Sequence, residues 1–313
     1  MRLANSRKVV YAALAGNLLV AATKFAAALF TGSPSMLSEG VHSLVDAGNE
    51  ALLLYGYYRS GLRPDRAHPL GYGRELYFWS FVVALLLFAL GAGISVYEGI
   101  THIAAPNRIE NVHVTYIVLA LSFLFEGASW WIALQTFRAS KAPMSYWEAI
   151  KKSKDPPSFM VLLEDTAALI GLSIASVGIY LSDRLQRPEL DGVASILIGL
   201  VLAATAAFLA RESKELLIGE SAHGPINASI RAIAQREPCV QGVNGVLTVH
   251  LAPDQIVAVL SLEFADELRT PEIERCVEVL EKQIRFEHPE IVSLFVKPQT
   301  RRRFETARDV RFG

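Results

Sequence analysis

Charge is scarce in this 313-residue sequence: 19% of the residues are charged, and 30 basic side chains nearly cancel 31 acidic ones. A formal net charge of -1 argues against a nucleic-acid partner, because phosphate binding needs a strong basic field. Cysteine is almost missing. Cys239 and Cys276 both fall in the polar C-terminal third and neither sits in a CxxC pair. That argues against a disulfide framework or a thiolate zinc site, and two free thiols fit a reducing, cytosol-facing domain. No H-E-x-x-H helix is present, which removes the usual signature of a zinc hydrolase, so no enzyme is expected. No period of 20–50 residues marks a repeat array. Met1 to Lys8 lead into an apolar run with no small-residue cleavage pattern, so that run reads as a retained first span.

What is abundant is apolar sequence, 52% of the chain, and it comes in blocks. A helix needs about 20 mostly apolar residues to cross roughly 30 Å of hydrocarbon. Six stretches qualify: 9–30, 36–58, 76–103, 113–136, 159–182 and 190–210. Basic residues favour one set of loops. Arg2, Arg7 and Lys8 precede the first span, Arg59, Arg63, Arg66 and Arg74 follow the second, Arg138, Lys141, Lys151, Lys152 and Lys154 follow the fourth, and Arg211 and Lys214 follow the sixth. The opposite loops hold Arg108, Arg184 and Arg187. The positive-inside rule then puts both termini in the cytoplasm.

Between spans four and five, Ser145-Tyr146-Trp147 followed by two lysines fits either an interfacial helix or a solvated loop. Asp155-Pro156-Pro157 reads as a helix stop. Beyond the sixth span the periodicity changes. Residues 225–236 and 271–286 have helical spacing, while 243–251, 255–264 and 291–297 read as strands. The fold class expected is an α-helical membrane protein with six transmembrane helices in residues 1–215. A small cytoplasmic αββαβ (ferredoxin-like) dimerisation domain follows in 216–300, and a basic, disordered tail in 301–313.

Ionisable residues inside spans cost roughly 2.5–3.5 kcal/mol or more, so each needs a partner or a purpose. In span two His42 and Asp46 are four apart and share one helix face, and Asn49 extends the stripe. In span five Glu164 and Asp165 are adjacent and point about 100° apart. Imidazole with carboxylate is the donor set of zinc, and it also serves manganese, cobalt or ferrous iron. Metal binds only when such ligands have released their protons, so the two compete. The bland alternative is a hydrogen-bonded pair that holds two helices together. Lys24 and Glu39 read as a structural charge pair. Glu126 fits pairing or proton relay equally well, and Glu98 and His102 read as solvated.

The run Ser35-Met36-Leu37-Ser38-Glu39-Gly40-Val41-His42-Ser43-Leu44-Val45-Asp46, with Arg63-Pro64-Asp65-Arg66-Ala67-His68-Pro69-Leu70-Gly71-Tyr72-Gly73-Arg74, resembles the signature of the cation diffusion facilitator (solute carrier 30) family. Leu162-Leu163-Glu164-Asp165-Thr166-Ala167-Ala168 is similar to the branch containing animal zinc transporter nine. The resemblance implies a homodimer in a lipid bilayer and metal/proton antiport by alternating access; a bacterial inner (cell) membrane is the expected location. The resemblance also implies a transport site on helices two and five, which maps onto His42, Asp46 and Asp165. The sequence departs from the family at Val161, where a fourth ligand usually stands. Glu164, Asn49 or water could replace it, with Glu164 preferred. The family's loop site would use Asp65 and His68, but Tyr72 stands where a second histidine would be, so a structural loop is expected. His223 and His250 read as isolated.

The expected function is therefore export of a divalent transition metal against protons. Zinc leads, because imidazole with few carboxylates suits its tetrahedral preference. Manganese or ferrous iron, and a membrane-anchored scaffold or sensor, are the alternatives.

Overall fold

The computed structural model describes residues 2–31, 34–106, 112–141 and 143–312. Arg108, one of the loop charges read above, lies outside them. Two compact units result: residues 1–61 with 75–214, and residues 62–74 with 215–313.

The first unit is helical. Its long elements are α1 (Arg2–Thr31), α2 (Pro34–Ser60), α3 (Glu75–Leu86), α4 (Gly93–Ala104), α5 (Val112–Ser140), α7 (Pro156–Leu185) and α8 (Glu189–Ile218). A π-helical segment, Leu87–Ala92, joins α3 to α4 into one continuous span. Among the described residues, five spans are long and apolar enough to cross a membrane: Ser6–Phe30, Glu75–Ala104, His113–Ser140, Pro156–Leu185 and Glu189–Ile218. The 27-residue α2 is long enough but carries Glu39, His42, Asp46 and Glu50, and these lower its apolarity. It packs against α1 and α3 as the sixth member of the bundle. The protein is thus a multi-pass membrane protein with a small α+β unit at its C-terminal end.

The end of the bundle where α2 finishes is closed. Val9, Val10, Leu53, Tyr57, Phe159 and Val161 form part of one buried apolar core there. Polar links tie its rim: the Tyr57 hydroxyl donates to Asp155 at 2.7 Å, and Arg59 donates to Glu75 at 2.7 Å. The short α6 (Tyr146–Lys152) occupies the stretch read as either interfacial helix or loop. Ser145 caps it by accepting from the Glu148 N–H, and Trp147 stacks on Phe208 with centroids 4.8 Å apart. The proline pair acts differently from its expected role as a stop. Lys152 already ends α6, and Pro156 opens α7, because a first-turn proline forfeits only an N–H that has no intrahelical acceptor.

In the second unit, α9 (Gly224–Arg236) and α10 (Thr270–Glu287) accompany a three-stranded sheet of β1 (Val240–Ala252), β2 (Gln255–Phe264) and β3 (Ile291–Pro298). β1 and β2 are antiparallel, β2 and β3 parallel. Strand β2 shows why the sheet forms. Ile256, Ala258, Leu260, Leu262 and Phe264 alternate onto one face and bury against Ile230 and Ile233 of α9 and Leu280 and Ile284 of α10.

Two expectations are corrected in this unit. Residues read as a disordered tail form α11 (Arg301–Phe312). An Arg301–Glu305 pair one turn apart supports the helix, and Phe304 covers Gly245 of β1. The two cysteines are not free thiols, for Cys239 and Cys276 are joined in a disulfide, with Cα atoms 6.4 Å apart. They are 37 residues apart in sequence, and only the packing of α10 on the start of β1 brings them together.

Candidate functional site

Inside the helical unit, opposite its closed end, lies a cavity of about 340 Å³. Helices α1, α2, α4, α5, α7 and α8 contribute to its wall. Its polar lining includes Lys24, His42, Asp46, Glu126, Glu164 and Asp165. His42 and Asp46 sit one turn apart on α2, Nε2 to Oδ2 3.9 Å, with side chains 30% and 26% exposed. Across the cavity Asp165 of α7 is buried and accepts a hydrogen bond from the Ser129 hydroxyl of α5 at 2.8 Å. Its neighbour Glu164 is also buried, and neither carboxyl oxygen has a hydrogen-bond partner. Their 100° separation does not divide them, because the cavity is wide enough for both to reach it.

Four of the five candidate ligands, His42, Asp46, Glu164 and Asp165, therefore share one cavity. Asn49 does not line it; it is 2% exposed and lies beside Glu164. Val161 is fully buried in the apolar core. Among the described residues no three His, Cys, Asp or Glu side chains gather tightly enough to enclose an ion. In this conformation the donors line a chamber rather than close on a point.

Towards the mouth, Lys24 pairs with Glu39 at 3.5 Å and donates to Ser43 at 3.0 Å, the structural pairing expected. His102 is not simply solvated: its Nδ1 lies 3.1 Å from Asp191 of α8. That contact depends on how α4 and α8 pack, which helical periodicity does not encode. Glu98 is exposed and lines the cavity, as does Glu126.

The sequence reading missed three residues. Ser129 orients Asp165, and Asn17 of α1 lines the cavity. Glu50, four residues beyond Asp46, is 1% exposed. A signal for Glu50 existed, since i+4 spacing continues the His42–Asp46 stripe. No comparable pattern marks Ser129 or Asn17.

Comparison with known proteins bears on what such a chamber serves. Residues 10–218 match the cation efflux transmembrane domain. The chain belongs to the cation efflux family. It is 34% identical over 246 residues to the human proton-coupled zinc antiporter SLC30A9, mitochondrial, covering 78% of this chain and 43% of the relative. It is 34% identical over 219 residues to metal tolerance protein C4 of Arabidopsis thaliana, covering 69% and 48%. Magnetosome protein MamM of Paramagnetospirillum magneticum is 23% identical over 244 residues, covering 76% and 71%. The chain spans a little under half the length of the first two. This is a family of membrane transporters, not of enzymes.

In this cation efflux protein the loop 62–74 is organised around Asp65. Its carboxylate accepts from the Tyr72 hydroxyl at 2.6 Å and from the N–H groups of His68 and Ala67 at 2.6 and 2.9 Å. The His68 ring lies against Tyr72, centroids 4.2 Å apart. The Tyr72 hydroxyl foremost, then those N–H groups, hold the Asp65 carboxyl below the usual carboxylate range. The ordering this gives is complete above the ordinary aspartate range and is lost as pH falls through the lowered value. Tyr72→Phe is expected to raise the Asp65 pKa towards its ordinary value, as read by carboxyl carbon NMR; an unchanged titration would discount the tyrosine's role.

In the C-terminal unit His223 and His250 are not isolated. Their ring centroids are 6.5 Å apart, and His250 Nδ1 lies 3.1 Å from the Ala252 carbonyl. Folding β1 back beside the start of α9 creates that proximity across 27 residues of sequence.

Proposed function

We propose that this cation efflux protein exports a divalent transition metal, zinc first, in exchange for protons, by alternating access of one intramembrane site. The observation that carries the reading is the His42–Asp46 pair facing Asp165 and Glu164 across a chamber inside the bundle. His42, Asp46 and Asp165 would hold the ion, with Glu164 as the preferred fourth donor and Asn49 behind it. A chamber open at one end and packed shut at the other is what one half of an alternating-access cycle requires. The printed names of the human and plant relatives, a zinc antiporter and a metal tolerance protein, support metal as cargo.

Both termini would face the cytoplasm, with a bacterial cell membrane as the setting and the C-terminal unit joining two copies. Zinc is favoured by the imidazole. Manganese or ferrous iron is the second reading, favoured by the carboxylates Glu126, Glu164 and Asp165 in the same wall, since oxygen donors suit those ions.

Purified protein in proteoliposomes tests both the cargo and the coupling. Zinc uptake is expected to exceed manganese and ferrous uptake, with protons moving the opposite way, read by a pH-sensitive dye. Protonated imidazole and carboxyl groups cannot bind metal, so half-saturation should rise as pH falls on the loading side, by up to about tenfold per pH unit for each proton displaced. Uptake indifferent to mild acidification would refute exchange by competition, and manganese outpacing zinc would reverse the cargo.

A further inference from the structure

Glu50 is a buried acid with no assigned task. It lies on α2 one turn beyond Asp46, about 6 Å further along the helix by its rise per residue. It is 1% exposed, and its Oε2 has no hydrogen-bond partner. The charged groups that act on it are also acids, Glu164 more strongly than Asp46, and the Asn17 amide is within its hydrogen-bonding surroundings. Glu164 in turn leaves both oxygens unpartnered, with the Asn49 amide close by. Among the described residues no cationic side chain pairs with either acid, and Lys24 is engaged at the mouth by Glu39 and Ser43. Buried acids without a counter-charge persist only when they are neutralised, by protons or by a bound cation, and these two have no cationic partner among the described residues.

Their place in the bundle is equally telling. Asn17 and Glu164 line the chamber, whereas Glu50 does not. Beyond Glu50 along α2 come Leu53 and Tyr57, buried in the apolar core that closes the bundle. An ion moving from the chamber towards the closed end would therefore meet Glu50 just before the seal.

We infer that Glu50 and Glu164, with the amide oxygens of Asn17 and Asn49, form a second divalent-cation station between the His42–Asp46–Asp165 chamber and the closed end of the bundle. The inference rests on the transport reading above and adds a waypoint to it. Glu164 is the hinge of the arrangement, because it borders the chamber and also acts electrostatically on Glu50. An ion handed from Asp46 to this pair neutralises both acids and leaves His42 free to take up a proton. The second station offers only oxygen donors, so it would accept manganese as well as zinc, while discrimination by imidazole stays with the first.

Glu50→Gln keeps the shape and removes the charge. With zinc as probe in proteoliposomes, the maximal uptake rate should fall at least about tenfold while equilibrium zinc binding, read by calorimetry, stays within about threefold. Glu50→Asp, which returns a carboxylate one methylene short, should fall between the two. If Glu50→Gln does not give monodisperse protein, Glu50→Asp decides: a severalfold slower rate with intact binding supports the station, and an unchanged rate overturns it.

Wild-type uptake by Glu50→Gln also overturns it, and an altered proton count at that unchanged rate would make Glu50 a proton site instead. Loss of equilibrium binding together with transport would fold Glu50 into a single site and equally sink the second station. Asp46→Asn run in parallel separates the two levels. Failure of Asp46→Asn with normal uptake by Glu50→Gln removes only the waypoint, whereas normal uptake by Asp46→Asn removes the transport site itself.

Discussion

Asp46→Asn and Asp165→Asn are each expected to abolish metal-driven proton movement while leaving a folded, monodisperse protein. The size of the effect follows from the ligand count. Structural zinc sites are worth roughly 10–16 kcal/mol over about four ligands, and a transport site must be weaker so that the ion can leave. Even a share of about 2–3 kcal/mol per carboxylate changes occupancy roughly 30- to 150-fold. Asparagine keeps the volume of aspartate, and at position 165 it can still accept the Ser129 hydroxyl that now binds the carboxylate, so packing should survive. The two positions lie on different helices, α2 and α7. Loss at both would therefore implicate a site shared between helices rather than damage to one of them. Uptake is measured in proteoliposomes, with thermal unfolding as the control for folding. Transport at the wild-type rate by either variant would refute the assignment.

Gly99→Val is expected to destabilise the helical bundle markedly. Gly99 of α4 and Gly192 of α8 meet backbone to backbone. A Cβ on Gly99 would stand 2.6 Å from the Gly192 carbonyl oxygen, and one on Gly192 would stand 2.7 Å from the Gly99 carbonyl oxygen. A backbone oxygen cannot swing aside as a side-chain end can, so the helices would have to part. Gly199 continues the seam, with a Cβ there 2.6 Å from Val96. Small residues that let helices approach this closely are how membrane helices associate when burial from water no longer drives them together. Overpacking of this kind costs roughly 1–3 kcal/mol and occasionally more, which is about 2–12 °C in unfolding temperature for a domain this size. The damage should be functional too, because α4 and α8 carry Glu98 and Asp191 on the chamber wall. Gly127 of α5 is the control, since a Cβ there meets nothing within 4 Å. Gly127→Ala should leave the unfolding temperature unchanged or slightly higher. Equal behaviour of the two variants would show that the α4–α8 seam can yield.

Helices written in long apolar runs were readable because insertion is decided locally, by composition over about 20 residues. The α9–β1–β2–α10–β3 order was readable for the same reason, since period-2 and period-3.6 burial appears in the chain itself. Helix α2 was the instructive case. The acids that lower its apolarity are the residues that identify the candidate site, so reading it as a span rests on those charges having a purpose rather than on hydropathy alone. Apart from the proline pair that opens α7, the readings that had to change concerned partners. His102 finds Asp191 on another helix, Cys239 finds Cys276, and Phe304 finds Gly245 and holds a helix where disorder was expected.

By itself, then, the sequence determined what is local: the spans, the strand and helix order, the His42–Asp46 stripe and the resemblance those residues carry. The tertiary structure alone decided which face meets which. It put Glu164 and Asp165 in the same chamber as His42, set Asn49 behind its wall, and left Glu50 buried outside its lining with an oxygen unpartnered. The physical reason is that helix propensity and hydropathy act within one segment. The rotation of a helix about its own axis is instead fixed by contacts such as the Gly99–Gly192 seam, between residues far apart in the chain.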